Sequence, residues 1–68
     1  MKFTITTREL QILKLASEGK PINIIAGEIN VRKEDVSKSL KSTCGKLSTK
    51  NPLAAMQKLL KNDFEVED

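Results

Sequence analysis

The segment from Val31 to Leu47, VRKEDVSKSLKSTCGKL, is the part of the sequence whose residue types and spacing could do chemistry. Its lysines can donate hydrogen bonds to guanine bases or neutralise phosphates, and small serines stand between them. Two acidic residues, Glu34 and Asp35, stand at its start, where they would repel a phosphate. The segment is therefore either a helix that contacts nucleic acid or a helix that has lost that role.

The basic charge of the chain is concentrated in one segment. The net charge of the 68 residues is +3, but residues 32–50 carry a balance of +4 and residues 51–68 a balance of −2. Charge alone is compatible with an ordinary solvated helix face as well as with a binding surface. The spacing of the residues must decide between the two.

The composition argues against an enzyme. A chain of this length forms one domain with a small core, which leaves no room for a deep cleft. It has no histidine and a single cysteine, Cys44, so zinc sets, Cys/His or Ser/His nucleophile pairs and an internal disulfide cannot be assembled. We therefore expect no catalytic residue, no metal and no cofactor. The lone cysteine and the lack of a long apolar run favour a cytoplasmic protein without a membrane segment.

Apolar residues at helical spacing predict two short helices in the first half of the chain. In ITTREL, Thr6 is the N-cap and Glu9 stands at N3, which makes a capping box, and Gly19 ends this first helix. A second helix restarts at Pro21, which is tolerated in a first turn. The inward face of the second helix is formed by Ile22, Ile25, Ala26 and Ile29.

Two further helices follow. The third has an inward stripe of Val36, Leu40, Thr43 and Leu47. Its outer face then carries Ser37, Lys38, Lys41, Ser42 and Gly45. The fourth helix starts at NPL, with Asn51 as N-cap and Pro52 at N1. We expect one all-α domain at residues 1–61, followed by an acidic, disordered tail at residues 62–68.

A short helix, a tight turn and a second helix with lysines on its outer face form the pattern of a helix-turn-helix. The same four helices would also suit a protein-binding module. The pattern alone leaves both possibilities open.

From Ile5 to about Ala55, without a gap, the chain resembles the LuxR/GerE-type helix-turn-helix domain of NarL/FixJ-like response regulators and quorum-sensing regulators. The matching positions are Ile5, Thr6, Arg8, Glu9, Ile12 and Leu13 (LTxRExxVL), Gly19, Ile25, Ala26 and Ile29 (IAxxL), Val36 (TV), and Lys46, Leu47 and Asn51 (KLxxxN). The resemblance implies a four-helix, all-α fold whose third helix, at about residues 33–47, enters the major groove of double-stranded DNA.

The resemblance also implies which residues touch DNA. Position by position, Ser37, Lys38 and Lys41 correspond to residues that reach bases and phosphates, and Lys46 and Lys50 to backbone contacts. The last helix resembles the dimerisation element of the family. Its apolar residues Leu53, Met56 and Leu60 are therefore either a homodimer interface or simply the closure of the core.

Several residues depart from the family pattern, and three of them bear on function. Arg32 replaces a capping serine, a loss worth about 1 kcal/mol, and Asp35 replaces a threonine that commonly contacts phosphate. Ile24 replaces a polar residue and either widens the core or contacts a partner protein. We expect a stand-alone transcription regulator with weaker or differently specific DNA binding. The alternative is an antagonist or co-regulator that binds another regulator or RNA polymerase.

Overall fold

The computed structural model of the protein describes residues 3–67, which form four helices and a small parallel sheet. The elements in chain order are β1 (Phe3–Thr6), α1 (Thr7–Ser17), α2 (Ile22–Ile29), α3 (Lys33–Lys46), α4 (Pro52–Lys61) and β2 (Phe64–Glu67). The predicted all-α architecture of four short helices is confirmed. The two strands, which join the two ends of the described chain, were not predicted.

The start of α1 is fixed by the predicted capping box. The backbone N–H of Glu9 donates to Oγ1 of Thr6 at 3.0 Å, and the backbone N–H of Thr6 donates to Oε1 of Glu9 at 3.0 Å. These two bonds satisfy backbone donors that a helix start otherwise leaves without partners. After α1, Gly19 adopts φ +91°, the left-handed conformation that glycine takes at little cost.

The connection between α2 and α3 is short. Asn30 adopts a left-handed conformation with φ 58°, which asparagine tolerates better than most residues. The next residue, Val31, donates its backbone N–H to the carbonyl of Ala26 at 3.0 Å, and α3 begins at Lys33. The second helix itself begins at Ile22, one residue later than predicted, because Pro21 occupies the N-cap position.

The core consists of two clusters that pack one after the other along the inner face of α3. The first contains Ile5, Leu13, Leu47, Ala55 and Leu59, and the second contains Ile12, Ile25, Ala26 and Val36. Leu40, in the middle of α3, packs against both clusters. The rotation of α3 about its axis is thereby fixed, and so is the face that it presents to solvent.

The predicted disordered tail is wrong for Phe64–Glu67, which form β2. This strand pairs in parallel with β1, with Phe3 opposite Phe64 and Ile5 opposite Val66. The acidic composition concealed an alternation of apolar and acidic residues, FEVE, that is typical of a strand, although only Phe64 is partly buried and Val66 is 44% exposed. Its partner lies at the other end of the chain, so no local pattern could reveal the pairing. Asp68 lies outside the described residues.

Ile24 does not widen the core of α2. Its side chain is 47% exposed, whereas its neighbours Ile25 and Ala26 are buried. Of the two roles that the sequence left open for Ile24, the packing role is therefore excluded.

Candidate nucleic-acid interface

The outer face of α3 is a line of four exposed residues opposite the buried stripe. Val36, Thr43 and Leu47 are at most 2% exposed, as predicted, and they anchor the inner side of the helix. Exposed residues at positions i, i+4, i+7 and i+11 form one line on the other side. We call this line the outer stripe; its members are Glu34, Lys38, Lys41 and Gly45.

Three of the five predicted DNA-binding residues line one groove beside the outer stripe. The groove has a volume of about 250 Å³, and Ser37, Lys41 and Lys50 contribute its polar lining. The remaining lining residues come from the starts of α2 and α4 and from α3: Ile22, Leu40, Cys44 and Pro52. The fold thus brings Lys50, which follows α3 in the chain, next to Lys41 on the helix itself.

The start of α4 borders this groove and is capped as predicted. Oδ1 of Asn51 accepts a hydrogen bond from the backbone N–H of Ala54 at 2.7 Å, and Pro52 occupies the first helical position. A proline there costs nothing, because its missing N–H would have had no helical partner. The cap fixes where α4 starts and hence where Lys50 stands relative to α3.

Lys46 lies on a different flank of α3 and is engaged in an ion pair. Its Nζ atom donates to Oε1 of Glu9 at 2.9 Å. The same oxygen accepts the backbone N–H of Thr6, so one carboxylate oxygen serves both the capping box of α1 and the end of α3. The side chain of Lys46 remains 46% exposed, whereas that of Glu9 is 11% exposed. From the sequence, Glu9 was expected to complete the capping box and Lys46 to contact the DNA backbone. The contact between the two was not predicted.

The carboxyl group of Glu9 is held in its charged form. Burial by itself raises its pKa, but the hydrogen bond from the Thr6 backbone and the contact with Lys46 outweigh that effect. The result is a pKa below the ordinary value of 4.5. Glu9 is therefore ionised at neutral pH and can pair with Lys46.

The start of α3 has no side-chain cap, as the replacement of serine by Arg32 predicted. Arg32 instead donates from Nε to Oδ2 of Asp35 at 3.2 Å. Asp35 lies beside the outer stripe, on the helix line that continues to Ser42 and Lys46. Its negative charge is thus partly offset by a neighbour and does not stand on the line directly opposite the buried stripe.

Two of the three predicted dimer residues are exposed on α4. Leu53 is 55% and Leu60 is 68% exposed, while Met56 is half-buried and packs against the core. Leu53 and Leu60 therefore do not close the core of this chain. Core closure is left to Ala55 and Leu59, which are fully buried.

Within residues 3–67, no group of histidine, cysteine, aspartate or glutamate side chains is placed to hold a metal ion. In the same part of the chain, no helix is both long and apolar enough to cross a membrane.

The short α2, the tight turn and α3 with its lysine-bearing outer face define a helix-turn-helix domain. Comparison with protein families gives the same class: the model of GerE, bacterial regulatory proteins of the luxR family, matches residues 4–59. The chain belongs to this family, which is one of DNA-binding regulatory domains and not of enzymes. No curated protein and no solved structure matched the chain significantly.

Proposed function

We propose that the chain is a sequence-specific transcription regulator that places α3 in the major groove of DNA. The observation that carries this proposal is the outer stripe, whose lysines Lys38 and Lys41 lie directly opposite residues that are almost fully buried. The major groove, about 12 Å wide, admits one α-helix. Because both core clusters pack against the inner face of α3, the opposite face with its lysines stays exposed and can enter a groove.

The lysines have different roles in this arrangement. Lys38 and Lys41 project from the centre of the outer stripe, where an ammonium group can donate to O6 and N7 of guanine. Ser37 and Lys50, at the neighbouring groove, stand where a phosphate backbone would pass. Lys46 contributes less to DNA affinity, because its charge is already paired with Glu9. Its main role is to hold the end of α3 against the start of α1.

The apolar surface of α4 supports a homodimer. Two exposed leucines, Leu53 and Leu60, stand seven residues apart on one side of the helix. A two-fold dimer formed through this side would read two half-sites about one DNA turn apart, roughly 34 Å. In this proposal the occupancy of the two half-sites depends on the concentration of the protein.

The direct test is fluorescence anisotropy of labelled random duplex DNA, titrated at several salt concentrations. We expect binding whose logarithm falls linearly with the logarithm of the salt concentration, and no binding by the double variant Lys38→Glu with Lys41→Glu. The matched control is Lys14→Glu with Lys61→Glu, which reverses the same number of exposed charges on α1 and α4. If the first double variant binds as tightly as the control, the proposal fails.

A second candidate function is favoured by two exposed isoleucine side chains on α2. Ile24 and Ile22 are 47% and 38% exposed, a large apolar surface for one eight-residue helix. Such a surface suits an antagonist or co-regulator that binds another regulator or RNA polymerase. In that case Ile24→Asp abolishes binding to purified RNA polymerase, whereas Lys38→Glu with Lys41→Glu leaves regulation of a reporter gene intact.

A further inference from the structure

The outer stripe does not consist of lysines alone, because its first member is acidic. Glu34 is the second residue of α3, and its side chain is exposed. Within residues 3–67 it makes no ion pair, whereas its neighbour Asp35 is paired with Arg32. The two acids at the start of α3 therefore have different surroundings, and only Glu34 places a carboxylate on the line directly opposite the buried stripe.

The chemistry of the major groove limits what a carboxylate there can bind. A carboxylate only accepts hydrogen bonds, and the donors on the base edges are the amino groups of cytosine and adenine. Guanine O6 and N7 and thymine O4 are acceptors and would repel it. Glutamate is suited above all to the N4 amino group of cytosine. In helix-turn-helix domains, the residues near the N-terminus of the second helix are the ones that contact base edges.

We propose that Glu34 is a specificity-determining residue that selects cytosine. This proposal rests on the proposed insertion of α3 into the major groove. Lys38 follows it by one helical turn on the same line and donates to guanine. Four residues of helix advance by about 6 Å, and bases on one strand are spaced by about 3.4 Å. The cytosine and the guanine therefore lie within about two base pairs of each other in each half-site.

In this assignment Glu34 and Asp35 have different roles. As the first member of the outer stripe, Glu34 faces the floor of the groove, where base edges are, and not the phosphates along its walls. Asp35 lies to the side, nearer to a wall, and there its charge is offset by Arg32 at 3.2 Å. A purely structural role for Glu34, as an acid in the first helical turn that interacts with the helix dipole, would affect stability but not base preference.

Selection of preferred sites from a random duplex pool, followed by sequencing, tests the assignment. The wild-type protein is expected to enrich a cytosine close to a guanine in each half-site. Glu34→Gln is expected to shift that cytosine to adenine, because an amide can pair with N6 and N7 of adenine. Glu34→Ala is expected to lose the preference at this position. Replacing the preferred cytosine by another base should weaken binding of the wild-type protein by about tenfold.

Asp35→Asn is the matched control, since it removes the same charge one residue away. It is expected to strengthen binding to all sequences alike and to leave the preferred bases unchanged. If the variants of Glu34 select the same site as the wild-type protein, the assignment of Glu34 is overturned while the proposed function stands. If neither the wild-type protein nor any variant enriches a site, the proposed function itself fails.

Discussion

Lys46, at the end of α3, and Glu9, in the first turn of α1, form an ion pair at 2.9 Å across 37 residues of sequence. The same carboxylate completes the capping box with Thr6. One side chain thus connects the start of the first helix with the end of the helix that carries the outer stripe. Because Glu9 is mostly buried, this pair is screened less by solvent than an ordinary surface ion pair.

The ion pair predicts a specific loss of stability in acid. The pKa of Glu9 is lowered in the folded protein, so its contribution is present above the pKa of the unfolded chain and is lost as the pH falls through the folded pKa. We expect Glu9→Gln to lower the free energy of unfolding by about 1 kcal/mol at neutral pH. The difference from the wild-type protein should shrink below pH 4.5.

Urea denaturation of both proteins over this pH range measures the effect. Glu18→Gln removes an exposed carboxylate after the end of α1 and serves as the control. A wild-type to Glu9→Gln difference that is independent of pH would show that the charge of Glu9 does not stabilise the fold.

Lys50 and Lys46 are predicted to differ in their contribution to DNA binding. Lys50→Gln should reduce the salt dependence of binding by about 0.9 in the slope of the logarithmic plot, the effect of one lost phosphate contact. Lys46→Gln should reduce it by less, because its charge is paired with Glu9. Anisotropy titrations at several salt concentrations give both slopes. Equal reductions of the slope would mean that the side chain of Lys46 breaks its ion pair with Glu9 and binds a phosphate instead.

Replacing Gly45 by alanine should stabilise the fold but weaken DNA binding. A Cβ atom added to Gly45 or to Gly27 would meet no atom within 4 Å, and both residues lie within helices. Each change to alanine should therefore stabilise the fold by up to about 1 kcal/mol. Only Gly45 stands on the outer stripe, so only Gly45→Ala should weaken DNA binding.

Thermal denaturation and anisotropy of the two glycine variants, measured side by side, separate these effects. Unchanged affinity of Gly45→Ala would show that the DNA does not approach the helix backbone at this end of α3.

The exposed leucines of α4 predict the oligomeric state. Leu60→Asp should shift the protein toward the monomer, because it places a charge in the proposed interface, and it should cost little stability at a side chain that is 68% exposed. Sedimentation velocity measures the shift. Gln11→Asp introduces the same charge on α1 and should leave the oligomer intact. If both variants sediment like the wild-type protein, the dimer does not form through Leu60.

The parts of the fold that could be predicted from the sequence are those set by local chemistry. The capping box of Thr6 and Glu9, the cap at Asn51 and the inward stripe of α3 depend on residues a few positions apart, and all three are confirmed. The missing cap at Arg32 was predicted for the same reason.

The parts that could not be predicted depend on residues far apart in the chain or on how one helix sits against its neighbours. The pairing of Ile5 with Val66 joins the two ends of the chain, and the contact of Lys46 with Glu9 spans 37 residues. The exposure of Ile24 was hidden because α2 carries isoleucines on more than one side, so that composition alone did not show which side faces the core.

The central claim, that α3 lies in the major groove, is tested most directly by methylation interference on a duplex selected from the random pool. Dimethyl sulfate places methyl groups on N7 of guanine, in the major groove, and on N3 of adenine, in the minor groove. We expect DNA bound by the protein to be depleted of N7-methylated guanine within each half-site and not of N3-methylated adenine. Depletion confined to N3-methylated adenine, or none at all, would contradict the claim.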